Sequence, residues 1–247
     1  MLLIVNADDL GASEAINNET FALMEAGLVT SATLMANGPA FEDAVKRSRR
    51  LPNCSFGVHL NLTSFAPLSR SHDLAAALRG GELFPELLAP RFSSELRKAL
   101  EQELVLQVQR VVDAGVPVTH FDSHHFAHSS QSLFFAVKAA QRQFGIRKVR
   151  CTLDVFSGRS MLHTAKRKVF DYALRNIYAT VSPDGWCEFR SFYPVLVHNQ
   201  LPSLRCVELL VHPGTSNCDF IKDITLLKSN WRELLPPNVT VGSYHLL

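Results

Sequence analysis

Two hydrophobic rhythms alternate along the chain. Short aliphatic runs end in polar residues and glycine. Between them lie longer stretches in which apolar residues recur every three or four positions. The first pattern is that of a buried strand and the second that of an amphipathic helix. Leu2-Leu3-Ile4-Val5 runs into Asn6-Ala7-Asp8-Asp9-Leu10-Gly11 and reads as a central strand of a parallel sheet. Ser13 is the expected cap of a helix carrying Ile16, Phe21, Leu23 and Met24, with Gly27 as its stop. Thr30–Gly38 reads as a second strand, about Ala40–Arg50 as a helix closed by Pro52, and Cys54–Thr63 as a third strand.

Ser64–Ser93 breaks the rhythm. It carries Pro67, Gly80, Gly81, Pro85 and Pro90 around a short helical patch at Leu74–Leu78, and is expected to be an insertion over the active face. Ser94–Ala114 then forms a strong amphipathic helix with Leu96, Leu100, Leu104, Val108, Val111 and Val112 on one stripe, ended by Gly115 and Pro117. Val118–Asp122 is a fourth strand, Ser130–Phe144 a helix, Ile146–Thr152 a fifth strand and Met161–Tyr178 another helix. Val181–Asn199 is poorly patterned. Leu204–Val211 is a late strand, Ile221–Leu235 a last helix and Val239–Ser243 a short closing strand. Such alternation means parallel strands joined by crossover helices. Six or seven units point to a closed or nearly closed α/β barrel, one domain over residues 1–247. No Gly-x-Gly-x-x-Gly or P-loop is present, so the nucleotide-binding α/β folds lack their signature.

Composition narrows the function. A net charge of +2 over 247 residues gives no electrostatic grip on nucleic acid or membrane. The clusters Lys46-Arg47-Ser48-Arg49-Arg50 and Lys166-Arg167-Lys168 read as solvated helix ends. Five cysteines without a Cys-x-x-Cys pair fit a reducing compartment, and with no basic and apolar leader pattern before Leu2 a secretory leader is not expected. A cytoplasmic location is expected.

The polar residues at the strand ends are Asp8 and Asp9, His59, Asp122 with His124 and His125, and His212. A parallel barrel brings all of them to one rim. Two adjacent carboxylates there are costly unless a cation or proton compensates. One carboxylate with two imidazoles suits a divalent ion with positions left open, and Asp9, His59 and His124 are the candidate ligands. Alone, His59 reads as an imidazole lining a strand. The four histidines of His120–His128 point instead to ligands and their supporting partners, with Asp122 orienting a ligating ring. His72, His163, His198 and His245 lack such company. A Ser/His/Asp triad remains open by residue type, but no Gly-x-Ser-x-Gly elbow is present.

Asn6-Ala7-Asp8-Asp9-Leu10-Gly11, Gly57-Val58-His59-Leu60-Asn61-Leu62-Thr63, Thr119-His120-Phe121-Asp122-Ser123-His124-His125 and Val211-His212-Pro213-Gly214 together resemble the motifs of the YdjC-like carbohydrate deacetylases. That family includes chitooligosaccharide and hopanoid-associated deacetylases. The resemblance extends to Gly242-Ser243-Tyr244. It implies the distorted (β/α) barrel of the glycoside hydrolase/deacetylase type and hydrolysis of an N-acetyl group on an amino sugar. It also implies Asp8 as general base, Asp9, His59 and His124 as metal ligands, and magnesium or zinc as the ion. Phe126 departs from a family pattern that often has a histidine there, which sets the substrate pocket apart.

An amine leaves poorly without a proton, and His212 is the candidate acid. Asn61, Asp122, His125 and Arg150 are expected to bind substrate or support the site; for Arg150, a sugar contact and a structural ion pair are equally open. Phe65, Phe84, Phe126, Trp186 and Tyr193 are available as sugar platforms. The expected partner is a small carbohydrate, with no nucleic acid and no membrane, in a possible homodimer. Removal of another acyl or a phosphoryl group, or sugar binding without catalysis, are the alternatives.

Overall fold

The computed structural model describes residues 1–76, 78, 82, 93–156 and 160–247. Of the expected insertion, residues 77, 79–81 and 83–92, Phe84 among them, lie outside the described residues. The elements run β1 (Leu2–Leu10), α1 (Glu14–Glu25), β2 (Ser31–Leu34), α2 (Phe41–Ser48), β3 (Ser55–Leu60), α3 (His72–Ala76) and α4 (Ser94–Asp113). They continue with β4 (Val118–Ser123), α5 (Phe134–Phe144), β5 (Lys148–Val149), α6 (Met161–Asn176), β6 (Gly185–Glu188), α7 (Phe189–Val197), β7 (Cys206–Val211), α8 (Cys218–Leu227) and β8 (Thr240–Gly242).

Every strand pairing is parallel, in the order β5-β4-β3-β2-β1-β7-β6. β1 is the axis. Residues Leu2–Ala7 pair with β7 along one edge. On the other edge, Leu2–Ile4 pair with β8 and Asn6–Leu10 with β2. Leu3, Ile4, Val5, Ala7 and Leu10 have no exposed surface, as expected for a strand covered on both faces. The helices wrap the outside. Side chains cap α1, α4, α6 and α8: Ser13, Ser93, Ser160 and Asn217 accept from backbone N–H groups of the first turn.

Among the described residues the sheet curls into a barrel without a ladder between β5 and β6. Single bridges, Lys148 to Val181 and Asp154 to Trp186, span that gap. The expected strand over Ile146–Thr152 shrinks to Lys148–Val149 because Asp171 intervenes. Its buried carboxylate accepts the N–H groups of Thr152 (2.7 Å) and Leu153 (3.1 Å), in place of a neighbouring strand.

Val181–Asn199, unpatterned in sequence, holds β6 and α7. The strand is four residues long and the helix contains Pro194, a residue that reads as a breaker. The last helix is also two pieces: α8 stops at Leu227, and Trp231–Leu234 form a separate 3₁₀ turn.

Candidate metal centre

The centre is built at the carboxyl end of β1. In a regular strand Asp8 and Asp9 would point to opposite faces. Here the β1–β2 register shifts between Ala7 and Leu10, and Asp9 adopts a left-handed backbone with φ +65°. This bulge turns both carboxylates toward the same rim. A non-glycine residue held there is strained, a feature that concentrates at functional sites.

Asp9 Oδ1 lies 3.1 Å from His59 Nε2 and 2.9 Å from His124 Nδ1. One carboxylate oxygen and two imidazole nitrogens therefore converge on a point. His59 and Asp9 come from β3 and β1, and His124 from the 3₁₀ turn after β4. The other nitrogen of His59 is committed: Nδ1 donates to Asp122 Oδ1 at 2.8 Å. That bond anchors the ring and points Nε2 at Asp9, the orientation of a carboxylate–histidine–metal arrangement. The His124 side chain is 20% exposed and the Asp9 side chain 12%, so one side of the cluster stays open to solvent. The donor set, one carboxylate and two imidazoles, fits a divalent ion with water or substrate completing the shell. Asp8, His59 and Asp122 also approach one another. They are poorly suited to an ion, since Arg150 occupies both Asp8 oxygens and also Asp122.

Asp8 sits on the flank. Arg150 donates to it twice, at 2.9 and 2.7 Å, and the Asn6 amide donates to Oδ1 at 2.9 Å. Burial alone would raise its pKa. The Arg150 charge and hydrogen bonds, with lesser help from His59 and His212, outweigh burial and hold the carboxyl well below the usual range. His212 Nε2 lies 3.8 Å from Asp8 Oδ2, and Phe220 stacks on its ring at 4.0 Å. His212 also lines a small cleft of about 140 Å³ with Glu19, Gly214 and Lys228.

Below the rim a buried polar network holds these groups. Asp122 Oδ2 accepts from Thr33 Oγ1 (2.9 Å) and pairs with Arg150 (2.7 Å). Arg150 also reaches Glu208 Oε1 at 2.8 Å, and Tyr244 donates its hydroxyl to Glu208 Oε2 at 2.7 Å. Burial raises the Glu208 pKa, although Arg150 pulls against it. Arg150 has no exposed surface, so of its two sequence readings the geometry presents the ion pair. Asn61 uses its amide to shape the loop after β3, accepting from Thr63 and Ser64 N–H and donating to Asn37 and to the Ser64 carbonyl.

The histidine-rich segment divides. His124 joins the cluster. His125 is exposed beside it, with ring centroids 4.0 Å apart and Nδ1 2.9 Å from Thr63 Oγ1. His120 and His128 do not reach the rim, which corrects the reading of the whole run as ligands and partners. His120 stacks on Tyr244 at 3.5 Å in space that only a glycine at position 57 leaves, since a Cβ there would lie 2.6 Å from its ring. His128 bonds Ser123 Oγ at 2.6 Å, and burial with nearby Arg150 pushes it down to about 3. Both are packing histidines. Phe126, in a left-handed conformation at φ +55°, packs on Trp186 at 4.5 Å.

Asn6, Thr33, Glu208 and Tyr244 were not singled out by the sequence. Three of them left a signal. Asn6 stands two positions before Asp8 on one strand face, Glu208 is a lone acid inside the buried run Cys206–Val211, and Tyr244 closes the stretch Gly242-Ser243-Tyr244 to which the resemblance extends. Thr33 left none.

A family model described as YdjC-like protein matches residues 2–234. The chain belongs to the YdjC-like family. Carbohydrate deacetylases of Vibrio campbellii and Geobacillus stearothermophilus are each 36% identical to this YdjC-like chain, over 59% and 62% of it. A chitooligosaccharide deacetylase of Klebsiella pneumoniae is 37% identical over 59% of it. The matched stretches span 57%, 64% and 57% of those relatives' own lengths. The fold matches a solved protein of Enterococcus faecalis V583, provisionally described as a cellobiose-phosphate cleavage protein. The TM-score is 0.80 at 19% identity, over 99% of this chain and 98% of that one.

Proposed function

We propose that this YdjC-like protein is a metal-dependent hydrolase that removes an N-acetyl group from an acetylated amino sugar or chitooligosaccharide-like substrate. The observation that carries the reading is the convergence of Asp9, His59 and His124 with Asp8 and His212 beside them on one rim. The curated relatives named for deacetylation support it.

When bound, a magnesium or zinc ion supplies Lewis acidity to the acetamide carbonyl and acidifies water in its shell. The protein's own groups do the rest. Asp8, ionised throughout the working pH range, takes the proton of the attacking water. Arg150 and Asn6 hold its carboxylate so that Oδ2 faces His212. His212 donates a proton to the leaving amine, its ring oriented by Phe220. Asp122 keeps His59 in the ligating tautomer, Asn61 shapes the rim, and exposed His125 is placed to meet the sugar. Five unpaired cysteines suit a cytoplasmic setting. Among the described residues no helix is long and apolar enough to cross a membrane.

The test is acetate release from N,N′-diacetylchitobiose by protein stripped of metal and reloaded with zinc or magnesium. Metal-dependent release is expected, absent in His124→Ala together with metal binding, and absent in Asp8→Asn with metal binding kept. Bound metal without acetate release would redirect the site to other acyl or phosphoryl substrates. Loss of metal from Asp8→Asn would reverse the roles of the two aspartates.

A further inference from the structure

The net charge of the whole chain conceals a segregation. From Ser123 to Pro183 the sequence carries ten Lys and Arg against two acids, Asp154 and Asp171, although the chain as a whole is only +2. The remainder is therefore net acidic. Asp171 is buried on the inner face of α6, where it accepts backbone N–H groups, and α5 has no acid. Arg142, Arg147, Lys166 and Lys168 are exposed.

The same segment carries unusual apolar exposure. Phe135 at the start of α5 is 72% exposed; on α6, Met161 is 90%, Leu162 68%, Val169 70% and Tyr172 70% exposed. At about 100° per residue, Met161, Tyr172, Val169 and Leu162 share one arc that points away from the barrel. Lys168 borders that arc on one side and Lys166 on the other. Leu174 and Asp171 face inward. A helix that already has an inner face packed on the barrel has no fold-related use for an outer apolar stripe. An apolar stripe edged by lysines is the arrangement of a helix lying in a bilayer interface.

We propose that the outer face of α6 docks the protein on an anionic phospholipid surface. The apolar stripe enters the headgroup layer, and Lys166 and Lys168 at its edges meet lipid phosphates. A second copy of the chain is disfavoured, since a two-fold pairing would bring the same lysines together. A purely polyanionic partner would leave Met161, Leu162 and Val169 without a role. α5 and α6 follow β4 and β5, so Phe135, Met161 and Leu162 lie at the end of the barrel that carries the candidate centre.

The experiment is vesicle flotation of the full chain with phosphatidylcholine vesicles containing or lacking phosphatidylglycerol, at low and high salt. The protein is expected to float with the anionic vesicles, to stay down with phosphatidylcholine alone, and to be partly released by salt. Leu162→Gln with Val169→Gln keeps the charge and is expected to lower the bound fraction about tenfold. Lys166→Gln with Lys168→Gln should weaken partitioning about fivefold per lysine. Circular dichroism melting of both variants matching the parent would place the loss in docking and not in folding. No flotation of the parent, equal flotation on neutral vesicles, or undiminished binding by the glutamine variants would overturn the proposal. A concentration-dependent dimer lost in Leu162→Gln/Val169→Gln would assign the face to a second copy and overturn it equally.

Discussion

Removing Arg150 should unfold this protein in a pH-dependent way whose sign is fixed by the geometry. The guanidinium has no exposed surface and faces three buried carboxylates: Asp8 at 2.7 and 2.9 Å, Asp122 at 2.7 Å and Glu208 at 2.8 Å. Arg150→Met keeps much of the volume and leaves those carboxylates without their cation. Stripping one partner from a buried ion pair costs about 3–5 kcal/mol, a large share of the roughly 5–15 kcal/mol that holds a domain together. For a chain of this size that lowers the Tm by roughly 6–20 °C.

The pH dependence separates this account from simple loss of packing. In the parent, burial raises the Asp8 pKa but Arg150 and the neighbouring histidines bring it far below its unfolded value. Such a group contributes stability above about pH 4, lost as the pH falls through the folded pKa. In Arg150→Met burial acts without that opponent, and the folded pKa moves above the unfolded one. The variant is then at its best in acid and loses stability as the pH rises through the raised value. The gap between the two proteins should therefore widen from about pH 4.5 to about pH 7.5. Urea unfolding followed by tryptophan fluorescence across that range, with chelator present, measures it. Arg150→Lys, which keeps the charge but not the fork, should fall between. A loss below about 1 kcal/mol, the scale of an exposed pair, or a gap that does not change with pH would refute the reasoning.

Two further outcomes follow from neighbouring geometry. Asp122→Asn replaces the acceptor that orients His59, and should weaken zinc binding about 10–100-fold by isothermal titration while near-ultraviolet circular dichroism is unchanged; equal affinity would remove Asp122 from the centre. Gly214→Ala should lower the Tm well beyond the cost of an ordinary surface change. Residue 214 has φ +70° and an added Cβ would meet Ala15 O at 2.5 Å and Ile16 Cα at 2.6 Å, so a melting curve matching the parent would show that the loop after β7 can shift freely.

Pattern alone carried most of the architecture. The aliphatic run Leu2–Val5, the Ser13 cap, the α4 stripe and the late strand ending at His212 are local signals, and local signals survive because each element satisfies its own hydrogen bonds and buries its own face. The ligand candidates were legible for the same reason: parallel strands deliver their ends to one rim, so Asp9, His59 and His124 could be grouped without a contact in view. What the sequence could not decide depends on contacts between distant segments. Asp171 cut β5 short from 19 residues downstream of Thr152, and β6 and α7 formed through a proline because the barrel packs them. The four histidines of one segment divided into two at the rim and two in packing only because Gly57 and Ser123 leave particular spaces. Arg150 could be assigned only once β1, β4 and β7 had placed Asp8, Asp122 and Glu208 around it, since a charge network is a property of where chains meet and not of any one of them.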